Sequence, residues 1–163
     1  EPKVRTMGKV ALDMLLNRTP KVSPPVETVD GYDLVLFVGP VWMGHVATPL
    51  RAYLKRLKGG PAQYAFISVS GGADGPNTDL LADLTKRTGK APVALIDLHI
   101  ADLLPPDTKP TRQETQDYRL NDHDVNELFE IVLRDLREAE VIEGVELQRT
   151  RSLDGGPVRG SCC

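Results

Sequence analysis

The stretch DLVLFVGPVWMGHVATPLRAYL, residues 33–54, decides the fold of this chain. It contains most of a near-continuous apolar run, residues 32–38, which is typical of a strand covered on both faces. A loop with the only tryptophan, Trp42, follows, and a helix begins at Pro49. Open α/β sheets bind ligands outside the carboxyl ends of such strands. The stretch therefore predicts a strand, a loop and a helix that form one rim of a ligand site.

The rest of the sequence repeats this alternation of strand and helix patterns. Apolar residues at the matching periods predict strands at residues 64–69 and 93–100, and helices at residues 6–17, 49–57, 78–87 and 122–140. Three prolines between residues 19 and 28 exclude a central strand there and permit a short edge strand. The alternation predicts an α/β protein: a doubly wound parallel sheet with helices on both faces. We expect one domain over residues 1–144 and a flexible tail over residues 145–163.

The composition narrows the class of function. A net charge of -3 and a sequence pI near 5.6 argue against a nucleic-acid partner, which would require a basic surface. No apolar run reaches the roughly 20 residues of a membrane span, so no membrane partner is expected. The two cysteines are the last two residues, and a cysteine-free body is typical of a reducing compartment, so we expect a cytoplasmic protein. The three histidines are far apart in the sequence, and no metal site is predicted.

A second glycine-rich loop follows the second predicted strand. Residues 70–76 read SGGADGP, and Gly71, Gly72 and Gly75 lack side chains that would keep backbone amides away from a bound ring. Because the ends of parallel strands share one rim, the two loops would form a slot for a flat heterocycle stacked on Trp42. Each loop can also be a plain strand-to-helix turn, in which glycine and proline are common. The occurrence of both loops, on consecutive strands and with the tryptophan, favours the slot.

These segments resemble the flavodoxin-like family of FMN-binding proteins. The resemblance spans residues 7–103 and lies in YDLVLFVGPVW at residues 32–42, TPLRAYL at residues 48–54 and SVSGG at residues 68–72. It is closer to the small flavodoxin-like oxidoreductases than to the acidic electron carriers. It implies a flavodoxin-like three-layer sandwich and an FMN-dependent flavoprotein that transfers electrons, with the flavin carrying the chemistry. NAD(P)H is a candidate electron donor, and a redox partner or a small molecule would be the electron acceptor. The protein could also form a homodimer.

The resemblance also implies which residues would bind the cofactor FMN, while no catalytic side chain is predicted. One loop would line each side of the isoalloxazine ring. The residues implied are Pro40, Val41, Trp42, Met43, Gly44, His45, Ser70, Gly71, Gly72, Ala73 and Asp74. Gly44 would let a neighbouring peptide turn toward the ring nitrogen that changes protonation. His45 would hydrogen-bond the flavin or a substrate, or it is a solvated loop histidine.

The sequence departs from the family at the phosphate end of the site. Flavodoxin-like proteins resemble one another in opening with a strand and a Ser/Thr- and Gly-rich loop around the phosphate, whereas residues 1–6 stand directly before the first predicted helix. Arg5, Thr6 and the amides at that helix start remain as a candidate phosphate grip. We expect a strand ahead of Glu1, or less favourably a sheet completed by residues 22–29 or by a partner's strand. The alternative function is a flavin-free flavodoxin-like domain that acts as an interaction or assembly module; a receiver-like regulatory domain is a weaker third interpretation.

Overall fold

A computed structural model describes residues 22–42, 44–105 and 109–142 of the 163-residue chain. Several predictions concern other parts of the sequence. The helix predicted at residues 6–17, the phosphate-grip candidates Arg5 and Thr6, the loop residue Met43 and the tail from residue 145 lie outside the described residues.

Strands and helices alternate along the described part of the chain. They are β1 (Leu34–Trp42), β2 (His45–Val46), α1 (Thr48–Arg56), β3 (Gln63–Ser70), α2 (Leu80–Thr88), β4 (Ala94–His99), α3 (Arg112–Asp117) and α4 (Asp122–Glu138). The strands and helices predicted for this part are confirmed to within a few residues, except that β1 continues through Trp42, which the sequence placed in a loop. The sequence did not predict β2 or α3, because a two-residue strand and a polar six-residue helix carry no apolar period.

The short edge strand that the sequence permitted between residues 19 and 28 is absent from residues 22–28, the described part of that stretch, and residues 22–29 do not complete the sheet. This segment contains a 3-10 turn at Val26–Val29, and the N–H of Thr28 donates to the carbonyl of Pro25 at 3.1 Å. Pro24 and Pro25 have no N–H to offer a neighbouring strand, which favours the turn over an extended edge. The turn packs on α1 instead, where the hydroxyl of Tyr53 donates to the carbonyl of Pro24 at 2.6 Å.

The strands form one sheet in the order β2-β1-β3-β4. β1, β3 and β4 run parallel, with Phe37 opposite Phe66 and Ile67 opposite Ile96. β2 pairs antiparallel with the end of β1, because the chain turns back through Gly44, whose φ of 75° is in the left-handed region that favours glycine. The α/β class is confirmed, and the sheet of the described residues is mixed rather than purely parallel.

Helices cover both faces of this sheet. On one face α1 and α2 bury Phe37, Tyr64 and Phe66, and the rings of Phe37 and Tyr64 meet edge-on with centroids 6.2 Å apart. On the other face α4 packs through Leu136 on a cluster that includes Ile67 of β3 and Ile96 of β4. Successive residues of β3 belong to opposite clusters, which is the period of a strand buried on both sides.

The helix ends follow signals that are visible in the sequence. α4 begins after Asn121, whose side chain accepts the N–H groups of His123 and Asp124, and Asp124 in turn accepts the N–H of Asn121 at 2.9 Å. α2 ends at Gly89, where φ is 81°. None of the helices in the described residues is long and apolar enough to cross a membrane.

Candidate functional site

A cavity of about 530 Å³ lies where the chain leaves the carboxyl ends of β1 and β3. It is lined by Val41, Gly44, Ser70, Gly71, Gly72, Ala73, Asp74, Gly75, Pro76, Asn77, Thr78, Asp79 and Arg112. Small-molecule sites typically enclose roughly 300–1,000 Å³, so the cavity has the size of such a site. The two loops that the sequence placed on one rim thus share one cavity.

The structure brings together most, but not all, of the predicted binding residues. Those on the cavity wall are Val41, Gly44, Ser70, Gly71, Gly72, Ala73 and Asp74. Pro40, Trp42 and His45 do not line this cavity. Trp42 ends β1, is partly exposed, and faces His45 across the β1–β2 pair. Its stacking on a bound ring stays a prediction.

The first loop is fixed by two charged side chains that bind the peptide groups of Val46. Asp83 of α2 accepts the N–H of Val46 at 3.3 Å, and the Nε of Arg51 of α1 donates to its carbonyl at 2.9 Å. Arg51 is only 4% exposed. Burial and the nearby charge of Arg87 lower the pKa of Arg51, and the charge of Asp83 opposes this shift. Two helices therefore hold one end of the loop that contains Gly44.

Asp83 is the centre of this arrangement. The guanidinium of Arg87 lies 2.9 Å from its carboxylate, and the Nδ1 of His45 lies 3.6 Å away. Burial raises the pKa of Asp83, but the hydrogen bond and charge of Arg87, the N–H of Val46 and the charge of His45 outweigh it, so the pKa lies below its ordinary value. The ring of His45 therefore lies beside Asp83, is largely exposed, and does not line the cavity.

The second loop is tethered to β4 by Asp97. The N–H and the side-chain amide of Asn77 donate to this carboxylate at 3.1 and 2.9 Å, and the buried hydroxyl of Ser68 also donates to it. The Nε2 of His99 lies 2.9 Å from Asp97. Burial raises the pKa of Asp97, but the hydrogen bonds from Ser68 and Asn77 and the charge of His99 hold it below its ordinary value. An ionised carboxylate thus fixes the far end of the loop.

The glycines of the second loop are needed for close packing as well as for conformation. A Cβ added at Gly72, which has φ of 72°, would overlap the side chain of His99. A Cβ at Gly71 would lie 2.9 Å from the hydroxyl of Thr115 in α3. The loop therefore lies flat on β4 and α3, and its exposed side forms part of the cavity wall.

The charged groups on the cavity wall are Asp74, Asp79 and Arg112. The Nε of Arg112 donates to Asp74 at 2.9 Å, and this hydrogen bond raises the pKa of the exposed guanidinium. Two carboxylates and one guanidinium give no excess of positive charge, so the wall suits an uncharged planar group better than a phosphate.

Sequence reasoning missed Arg112, Asn77 and Asp79. Arg112 lies 38 residues from its partner Asp74 and belongs to the short polar helix α3, which has no apolar period and whose only sequence signal is the capping box formed by Thr111 and Glu114. Asn77 follows the SGGADGP loop directly and lies close to the start of α2. Extending the predicted loop, residues 70–76, by one residue would have included Asn77.

No family profile, no curated protein and no solved structure matches this chain. Within residues 22–42, 44–105 and 109–142, no group of three or more His, Cys, Asp or Glu side chains is arranged to hold a metal ion. The molecule is thus defined by its fold class and cavity: an α/β protein with a small-molecule-sized cavity at the ends of its parallel strands.

Proposed function

We propose that this protein binds FMN and transfers electrons as a flavodoxin-like oxidoreductase of the cytoplasm. One observation supports this most directly: two loops selected from the sequence as the sides of a flavin site line one cavity. The cavity lies beside the carboxyl ends of two neighbouring parallel strands, where open α/β sheets bind their ligands. The proposal includes the finer fold, a doubly wound sandwich of which β1, β3 and β4 form one half.

The cavity would hold the ring end of FMN. The carbonyls of Gly71 and Gly72 accept the N–H groups of Ala101 and Gly75 at 2.9 Å each, which fixes the backbone of the loop. We assign the N–H groups of these two glycines to the polar edge of the ring, and the peptide at Gly44 to the ring nitrogen that changes protonation. FMN would supply the redox chemistry, while these residues would orient the ring and exclude water.

The phosphate of FMN would lie elsewhere, because the wall carries two carboxylates and one guanidinium. The amides at the start of the helix predicted for residues 6–17, with Arg5 and Thr6, remain the candidate grip. NAD(P)H as electron donor, and a redox partner or small molecule as acceptor, complete the proposed reaction.

The experiment is a titration of the purified full chain with FMN, followed by flavin fluorescence and absorbance. Ala73→Trp would fill the cavity with a large side chain, and Ala91→Trp is the matched control because Ala91 is exposed and does not line the cavity. We expect the dissociation constant to rise at least tenfold with the first substitution and to stay unchanged with the second. A protein that is colourless and takes up no added FMN would exclude this function.

A second candidate function is a flavin-free interaction or assembly module. The observation that favours it is an apolar surface on β1, where Leu36 is 48% and Val38 is 60% exposed. Light scattering and native mass spectrometry distinguish the two candidates. A stable homodimer without bound flavin would favour the module, and a yellow protein that binds FMN in the cavity would favour the oxidoreductase.

A further inference from the structure

One face of β1 is apolar and lacks a cover within the described residues. The register places Leu36 beside Ala65 and Val38 beside Ile67, so these side chains share the face on which α4 packs. The apolar cluster under α4 contains residues of β3 and β4, and among the described residues none of β1 belongs to it. The opposite side of the same strand is buried through Phe37 and Val41.

α4 packs on the same side of the sheet and also has exposed apolar side chains. Val125 and Phe129 of this helix are exposed large apolar side chains, as are Leu36 and Val38 of β1. In a strand with one solvated face, polar residues alternate with apolar ones. The sequence of β1 shows no such alternation, which indicates that both of its faces are covered in the whole protein.

We propose that residues 6–17 of this same chain form an amphipathic helix that covers this face, which we call the β1–α4 face. The segment carries Met7, Val10, Ala11, Met14 and Leu15 at helical spacing. Twelve residues of α-helix extend about 18 Å, which is long enough to cover Leu36 and Val38 together. The polar side chains of the segment, such as Lys9 and Asp13, then face water.

The chain is long enough to connect this helix to the described part. Pro24 is held on α1, which lies on the other face of the sheet. The chain from Asn17 to Pro24 reaches about 23 Å when extended, whereas the helix layers on the two faces of a sheet are separated by about 20 Å, which is twice the spacing of about 10 Å between packed layers. Among the described residues, β1 pairs with no strand along Leu34–Gly39 on the side away from β3.

Charge favours this occupant over a second copy of the chain. The α4 sequence contains six acidic and two basic residues, whereas residues 1–21 contain five basic and two acidic residues. A symmetric dimer through the β1–α4 face would bring two acidic α4 helices together, which is unfavourable. The proposed helix itself carries one basic and one acidic residue, Lys9 and Asp13, and the other four basic residues flank it, so its docking brings no such repulsion.

The test is the reaction rate of single cysteines with a maleimide in the full chain, with Cys162 and Cys163 replaced by serine. Val38→Cys probes the β1–α4 face, and Leu81→Cys is the matched control because Leu81 is 47% exposed on α2. We expect the cysteine at position 38 to react at least tenfold more slowly than the one at position 81. Adding Val10→Asp and Met14→Asp should restore its rate and leave the control unchanged.

Three results would overturn the proposal. Equal rates at positions 38 and 81 would show that the β1–α4 face is free. Protection that increases with protein concentration would assign the face to a second copy. Protection that survives the two aspartates, with an unchanged circular dichroism spectrum, would exclude residues 6–17 as its cover.

Discussion

The two loops around the cavity are fixed in different ways. The first loop is held at one end, where Asp83 and Arg51 bind the two peptide groups of Val46. The second loop is held along its length, by Asp97 through Asn77 and by the packing of Gly72 on His99. Charged side chains of α1 and α2 thus fix the loop beside β1. Hydrogen bonds to Asp97 and the close packing of Gly72 fix the loop beside β3. This difference predicts that the second loop contributes more to stability and tolerates fewer substitutions.

The largest effect is expected for Asp97→Ala. This change removes the acceptor of Asn77 and of Ser68, whose side chain is fully buried, and each buried donor left without a partner costs about 1–3 kcal/mol. We expect the free energy of unfolding in urea to fall by about 3 kcal/mol. Asp97→Asn, which keeps the shape and one acceptor oxygen, should lose less. An unchanged midpoint for Asp97→Ala would show that the network does not fix the loop.

Asp83→Ala tests the first loop and should cost less, about 2 kcal/mol. Its hydrogen bond to Val46 is long, at 3.3 Å, and the guanidinium of Arg87 is not fully buried, so water can replace part of what is lost. Asp30→Ala is the control, since it breaks the exposed pair with Arg56 and should leave the urea midpoint unchanged. A loss larger than that of Asp97→Ala would reverse the order of the two loops.

Gly72→Ala and Gly75→Ala separate conformation from packing in the second loop. Both glycines have positive φ, 72° and 97°, but only a Cβ at Gly72 would meet other atoms, those of His99 and Ala101. Both variants should lose about 1 kcal/mol for the left-handed backbone, and Gly72→Ala about 1 kcal/mol more for the overlap. Urea denaturation of the two variants gives the difference, and equal losses would mean that His99 moves aside without cost.

The sequence predicted the position of the cavity and not the contacts that shape it. Adjacent loops follow from parallel strands, so residues 39–45 and 70–76 could be placed on one rim without knowing any side-chain orientation. The contacts of Asp97 with Asn77 and of Asp83 with Val46 join residues 20 and 37 positions apart, and their geometry exists only after the helices have packed. For the same reason the sequence left two interpretations of His45 open, because its neighbour Asp83 lies on another element.

The pH dependence of stability gives the smallest effect and tests both loops together. The pKa values of Asp83 and Asp97 are lowered in the folded protein, so each ionised carboxylate stabilises the fold at pH values above the ordinary pKa. This contribution is lost as the pH falls through the lowered pKa values, that is below about pH 4. We expect the urea midpoint of the wild type to fall with pH in this range and that of Asp97→Asn to fall less steeply. Identical slopes in the two proteins would show that Asp97 has the same pKa when folded and unfolded, which contradicts its role as the ionised anchor of the second loop.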